Sequence, residues 1–190
     1  MILGAIRLIE KYFFDTDCLS AFLWVRKESV LAHLYNGRII LPMQVYNELE
    51  KVPHLKKRVD MLKESGDLRV EDILVATEEF ADYLQMTTKP ESGMRIIGKG
   101  EAAGIAMAKH RKGILASNNL RDILPYVEKY SIRHITTGDI LKEAMNVGLI
   151  TEKEGNALWE GMLRKRRMLP AATFSEYLKK ERSKDGERKN

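Results

Sequence analysis

The chain breaks again and again into apolar runs of three or four residues. Each is closed by a turn or acidic residue and followed by a segment with helical spacing. Tyr12-Phe13-Phe14 stops at Asp15, Arg38-Ile39-Ile40-Leu41 stops at Pro42, and Gly113-Ile114-Leu115-Ala116 runs into Ser117-Asn118-Asn119. Residues 132–135 form a weaker run, and Leu68-Arg69-Val70 has the half-polar look of an edge strand. Such runs, bounded by turn residues, read as buried or half-buried strands. Between them, helical patterns cover 19–25, 29–35, 44–51, 73–84, 101–110, 122–130, 139–147 and 153–168, with one further turn or two over 174–180. The first ten residues fit strand or helix equally. Strands alternating with helices predict right-handed crossovers and a mostly parallel sheet. In such sheets, functional groups gather beyond the carboxyl ends of the strands. That rule selects Asp15 and Asp17 after the first strand, and Asn118, Asn119 and Asp122 after the run ending at Ala116.

Several function classes fall away. No run approaches the roughly 20 apolar residues of a membrane span, and the start has no basic, long-apolar, small-residue signal pattern. A single cysteine, Cys18, excludes an internal disulfide and a cysteine-rich zinc site, so a reducing cytoplasm is the expected setting. There is no phosphate-binding GxxxxGK[ST] loop, and Gly98-Lys99-Gly100 is only a fragment of a dinucleotide pattern. His33, His54, His110 and His134 lack metal-ligand spacing, and no G-x-S-x-G elbow presents a serine nucleophile.

The remaining chemistry is acidic. Asp15 ends an apolar run, where a carboxylate is costly unless it is paired or holds a cation. Glu48 lies inside an apolar helical pattern, and Glu101 opens the small-residue segment Ala102-Ala103-Gly104-Ile105-Ala106-Met107-Ala108, which must pack closely against something. Each acid also has a structural reading: Glu101 and Asp122 suit the positive N-termini of their helices.

Their order and spacing are more specific than any one of them. Phe13-Phe14-Asp15-Thr16, Glu48 about thirty residues on, Gly98-Lys99-Gly100-Glu101-Ala102, and Ile114-Leu115-Ala116-Ser117-Asn118-Asn119-Leu120-Arg121-Asp122 together resemble the PIN-domain nuclease pattern over about residues 11 to 138. The resemblance implies a three-layer α/β/α sandwich with a mostly parallel central sheet, and C-terminal helices are added to it here. It implies a metal-dependent ribonuclease acting on single-stranded RNA, as in the toxins of toxin–antitoxin pairs, with an antitoxin protein and a homodimer as the implied partners. By the same resemblance Asp15, Glu48, Glu101 and Asp122 are the catalytic acids and the ligands of Mg²⁺ or Mn²⁺. Many PIN proteins carry an aspartate directly after the fourth strand, where this chain has Asn118 and Asn119. Asn118 is then expected as a neutral ligand, and Thr16, Asn119, Lys99 and Arg121 as substrate-binding groups. The chemistry agrees with the resemblance: hard divalent ions want oxygen donors and can activate water for phosphodiester hydrolysis. Two alternatives stay open: a degenerate PIN module that binds RNA or protein without cleaving, and a dimeric scaffold whose C-terminal helices hold a partner.

The chain divides at about residue 138, into a PIN-like part (1–138) and a helical extension with a basic tail (139–190). Asp139 or Thr137 is the expected cap of the first extension helix, and Thr151 with Glu154 has capping-box spacing for the next. Trp159, Met162 and Leu163 form an apolar stripe suited to core packing. Residues 1–160 carry 22 Lys and Arg against 23 Asp and Glu, whereas residues 161–190 carry 10 against 4. The formal net charge of +5 therefore arises at the C-terminal end, with Arg164, Lys165, Arg166 and Arg167 as its densest run. Such a run attracts phosphate or simply caps a helix.

Overall fold

The computed structural model describes residues 10–187, so nearly all of the ambiguous first ten residues lie outside the described residues. The five short runs form one all-parallel sheet: β1 (Tyr12–Phe14), β2 (Ile39–Pro42), β3 (Leu68–Glu71), β4 (Ile114–Ala116) and β5 (Arg133–Ile135), in the order β3-β2-β1-β4-β5. The half-polar runs are the two edges, because an edge strand needs no apolar side chain on every position. Alternate residues face opposite layers. Phe13, Ile40 and Leu115 share one cluster, whereas Tyr12, Phe14, Ile39, Leu41, Ile114 and Ala116 share the other.

The first cluster is capped by α5 (Glu78–Thr88), α6 (Lys99–His110) and α7 (Leu120–Lys129). On the second face lie α1 (Thr16–Trp24), α2 (Glu28–Tyr35), α3 (Met43–Leu49), α4 (Pro53–Glu64), α8 (Thr137–Asn146), α9 (Glu152–Arg164) and α10 (Phe174–Glu187). The arrangement is the expected α/β/α sandwich. The chain builds outward from β1 to β3, then returns to place β4 on the other side of β1. Connections therefore leave β1 and β4 in opposite directions, and a crevice opens at their carboxyl ends.

Helix α9 ends at Arg164 rather than at residue 168, and three elements depart further from expectation. Helix α4 has its apolar stripe at Leu55, Val59 and Leu62, but nine other positions of mostly charged or polar type conceal it. Helix α5 starts at Glu78 rather than near residue 73, because the Thr77 side chain caps it by accepting from Phe80 N–H at 3.2 Å. That leaves Leu74 and Val75 exposed in the preceding loop. Helix α10 runs on to Glu187, well past the turn or two expected.

The C-terminal helices are continuous with the sheet's second cluster. Ile140, Leu141, Trp159, Met162, Phe174 and Leu178 belong to the same buried group as Phe14, Leu19 and Phe22. Thr136, not Asp139 or Thr137, caps α8, with Asp139 accepting from Thr136 N–H at 2.8 Å. Thr151 and Glu154 form the expected capping box of α9. Gly155 lets α9 and α10 touch, since a Cβ there would stand 2.4 Å from the Phe174 ring.

Candidate active site at the carboxyl edge of the sheet

Asp15 follows β1 directly and caps α1. Its Oδ1 accepts the Cys18 N–H at 2.7 Å, and its Oδ2 is buried without a hydrogen-bond partner among the described residues. The residue is only 2% exposed. The parallel register sets Phe14 beside Ala116, so the residues that follow each strand, Asp15 and Ser117, stand next to one another. The Ser117 hydroxyl is also buried without a hydrogen-bond partner among the described residues. It lies against the carboxyl and eases its ionisation, yet the two groups do not meet in hydrogen-bond geometry. Burial dominates and pushes the Asp15 carboxyl up to about 7. The Ser117 hydroxyl and the Cys18 N–H oppose that shift, and Asp17 and Glu101 add to it.

Glu48 reaches the same edge from α3. One oxygen accepts the Thr16 hydroxyl and the other accepts the Gly100 N–H at 3.3 Å. Gly100 permits this approach, because a Cβ there would lie 3.2 Å from both carboxylate oxygens. Glu101 sits in the first turn of α6, where the helix dipole favours a negative charge. Its Oε2 accepts the Gly98 N–H at 2.9 Å, and its Oε1 accepts the Asn119 amide at 2.6 Å. The same amide donates to Asp122 Oδ2 at 2.8 Å. A line of contacts thus runs from Thr16, next to Asp15, through Glu48, Gly100, Glu101 and Asn119 to Asp122.

The two asparagines make different contacts. Asn119, expected at the substrate, bridges two of the acids. Asn118, expected as a neutral ligand, commits its whole amide to Thr137: it donates to Oγ1 at 2.8 Å and accepts the N–H at 2.9 Å. Lys99 and Arg121 are exposed beside the acids they adjoin in sequence. Thr16 contacts Glu48, as the bond above shows. Asp17 faces the C-terminal region, pairing with Arg167 at 3.0 Å. Cys18 is buried, and burial holds its thiol well above its ordinary value, so it is no nucleophile. Ser117, Gly100 and Thr137 were named in the sequence, in the motifs and as a candidate cap, but not as members of the site. Ser117 was recoverable in principle, from its place directly after a central strand.

Among the described residues, no three His, Cys, Asp or Glu side chains stand close enough together to hold one metal ion. The donors are nevertheless right in kind for a hard divalent cation: carboxylate oxygens, one of them buried and bare on Asp15. Glu48 and Glu101 are each held by an N–H of the α6 N-terminus, Gly100 and Gly98 respectively.

The all-parallel α/β/α sandwich carries its acids at the strand switch point, the arrangement of a nuclease-type fold. A family model described as a PIN domain matches residues 11–183. The chain belongs to the PIN-domain family, and the match extends through most of the C-terminal helices. No curated protein matches the chain. Among the described residues no helix is long and apolar enough to cross a membrane.

Proposed function

We propose that this protein is a metal-dependent endoribonuclease that hydrolyses phosphodiester bonds of single-stranded RNA and leaves a 5′-phosphate and a 3′-hydroxyl. The observation that carries the reading is the buried Asp15 carboxylate, with one unpartnered oxygen at the switch point of the parallel sheet. Asp15, Glu48 and Glu101 would hold Mg²⁺ or Mn²⁺, with Asp122 joined to them through Asn119. A bound divalent ion supplies an activated water and neutralises charge in the transition state. The residues' own part is to set the carboxylates. The Cys18 N–H fixes Asp15, Thr16 and Gly100 fix Glu48, and Asn119 fixes Glu101 against Asp122. Lys99 and Arg121, exposed on either side, would receive the RNA phosphates. A toxin role with an antitoxin partner, and a homodimer, fit the family and remain part of this proposal.

One observation favours the second reading, a module that binds RNA without cutting it. Asn119 occupies the space between Glu101 and Asp122, where a fully acidic site would set another carboxylate. A cleavage assay separates the two. Purified protein with Mn²⁺ or Mg²⁺ is expected to cut single-stranded RNA, and chelation should stop it. RNA binding with no metal-dependent cutting selects the degenerate module.

Gly100→Ala tests the Glu48 placement. The added methyl would crowd Val45 at 3.1 Å and both Glu48 oxygens at 3.2 Å. The flexible carboxylate is the group that gives way. Cleavage is expected to fall about 10- to 100-fold, the usual effect of disturbing a ligand's support, while the melting temperature stays near that of the parent. Unchanged turnover would remove Glu48 from the mechanism.

A further inference from the structure

Away from the acidic crevice, the last turn of α1, helix α4 and the end of α9 enclose a groove of about 450 Å³. Trp24, Arg26, His54, Lys57, Met61 and Lys165 line it, and no carboxylate does. Arg58 at its margin is paired with Glu28. Among the described residues no carboxylate lies within ion-pair distance of Arg26, Lys57 or Lys165. Trp24 forms the aromatic centre. The His54 ring meets it edge-on at 4.7 Å between centroids, and the Lys165 ammonium stands 5.1 Å from it. A second hollow continues past Trp24 and Lys165 toward Gly161 and Arg164.

Core packing does not require this convergence. The buried stripe of α4 is Leu55, Val59 and Leu62, whereas His54, Lys57 and Met61 are exposed. Cations of one sign gathered around a half-buried indole repel one another unless an anion joins them. Aromatic rings flanked by cations are the means by which proteins hold single strands: bases stack on the ring, and the backbone follows the positive charge.

We propose that this groove binds single-stranded RNA, with a base on Trp24 and flanking phosphates on Arg26, Lys57 and Lys165. The identity of the ligand rests on the ribonuclease reading above. Helix α1 joins the two places, since it begins beside Asp15 and ends at Trp24. At 1.5 Å per residue its nine residues span about 13 Å, a separation that a few nucleotides of extended single strand cover. An acidic peptide would answer the cations but leave the indole without a stacking partner, which favours RNA.

The test uses the full chain with a chelator present, so that binding is read without cleavage. The chain has two tryptophans, and Trp159 is fully buried, so quenching of fluorescence by polyuridylate reports Trp24. Quenching is expected in the parent; Trp24→Phe lacks the reporter, so its binding is followed by the anisotropy of an end-labelled oligouridylate, and its affinity should fall roughly tenfold against the parent measured the same way, as loss of one stacked base does. Arg26→Asn with Lys57→Ser, both exposed positions, should weaken binding and flatten its salt dependence by about 0.7 in slope for each cation removed. Asparagine suits position 26 because its φ is +56°. Unchanged affinity and slope in both variants would overturn the proposal. So would polyglutamate binding as tightly and quenching as strongly as RNA, which would assign the groove to an acidic polypeptide. Groove-dependent RNA binding without cleavage in Mn²⁺ would sink the ribonuclease reading and leave the groove standing. Cleavage with no groove-dependent binding would do the reverse.

Discussion

Asp15→Asn is expected to abolish the proposed metal-dependent RNA cleavage, and at pH 8 without metal the variant should melt at a higher temperature than the parent. Both effects follow from one buried carboxyl. Its proton is held up to about 7 in the folded chain, against about 3.9 for an unfolded aspartate. The folded state therefore binds this proton more tightly than the unfolded state. The resulting stability is fully present below about pH 4 and is lost as pH rises through about 7. Asparagine removes that loss and still offers Oδ1 to the Cys18 N–H. The difference approaches about 4 kcal/mol above pH 8, or roughly 10 °C in a chain of this size. Mn²⁺ should reverse the order, raising the melting temperature of the parent at pH 8 and leaving Asp15→Asn where it was. Glu50→Gln serves as the control, because Glu50 is exposed at the end of α3 and contacts none of the acids. Equal loss of cleavage in both variants would show that the acids act through folding, and the assigned roles would fall.

The second large effect is expected far from the crevice. Trp159 is wholly buried, packs against Phe174 and Tyr177 at 5.8 and 5.4 Å between ring centroids, and donates its indole N–H to Ala171 O at 3.0 Å. Trp159→Ala opens a large cavity and strands that carbonyl, a loss of about 3 to 5 kcal/mol. Because Trp159 shares a cluster with Phe14, Leu19 and Phe22, the melting transition of the whole chain should drop by roughly 10 °C in one step. Were α8, α9 and α10 an appendage, the melt would split, with the sheet's transition unmoved. Hydrogen exchange resolves the outcomes: amides of β1 and α1 lose protection together with those of α9 if the cluster is one unit.

The C-terminal charge shows how a local pattern acquires its meaning from its surroundings. The run 164–167 reads as one basic patch, but its members part company in space. Arg164 pairs with Glu160, Lys165 lies over Trp24, and Arg167 is held by Asp17 and Ser20 beside the acidic crevice. Substituting all four together would mix a surface pair, a groove cation and a tie between α1 and the C-terminal region. Single substitutions are the informative ones.

Strand identity, the parallel sheet and the acids that follow its strands, Asp15 and Asp122, were legible in the chain itself, because each rests on a local rule, whereas the site roles of Glu48 and Glu101 came from the family resemblance. An apolar run of three or four residues bounded by turn residues is too short for a helix and buries itself best as a strand. Alternation with helices imposes crossovers, and crossovers send functional residues to one edge. The capping box at Thr151 and the close-packed helix after Glu101 are local in the same sense. Helix α4 stayed hidden because its three buried positions are outnumbered by solvated ones, and the start of α5 was misplaced because an exposed Leu74-Val75 mimics a helical stripe. What only the tertiary structure decided are contacts between segments far apart in sequence. Ser117 stands beside Asp15 through a strand register, Asn118 is tied to Thr137, Asn119 lies between Glu101 and Asp122, and three separate helices close a basic groove on Trp24. Spacing along a chain carries no record of such pairings, because they are set by which surfaces pack once the whole core is buried.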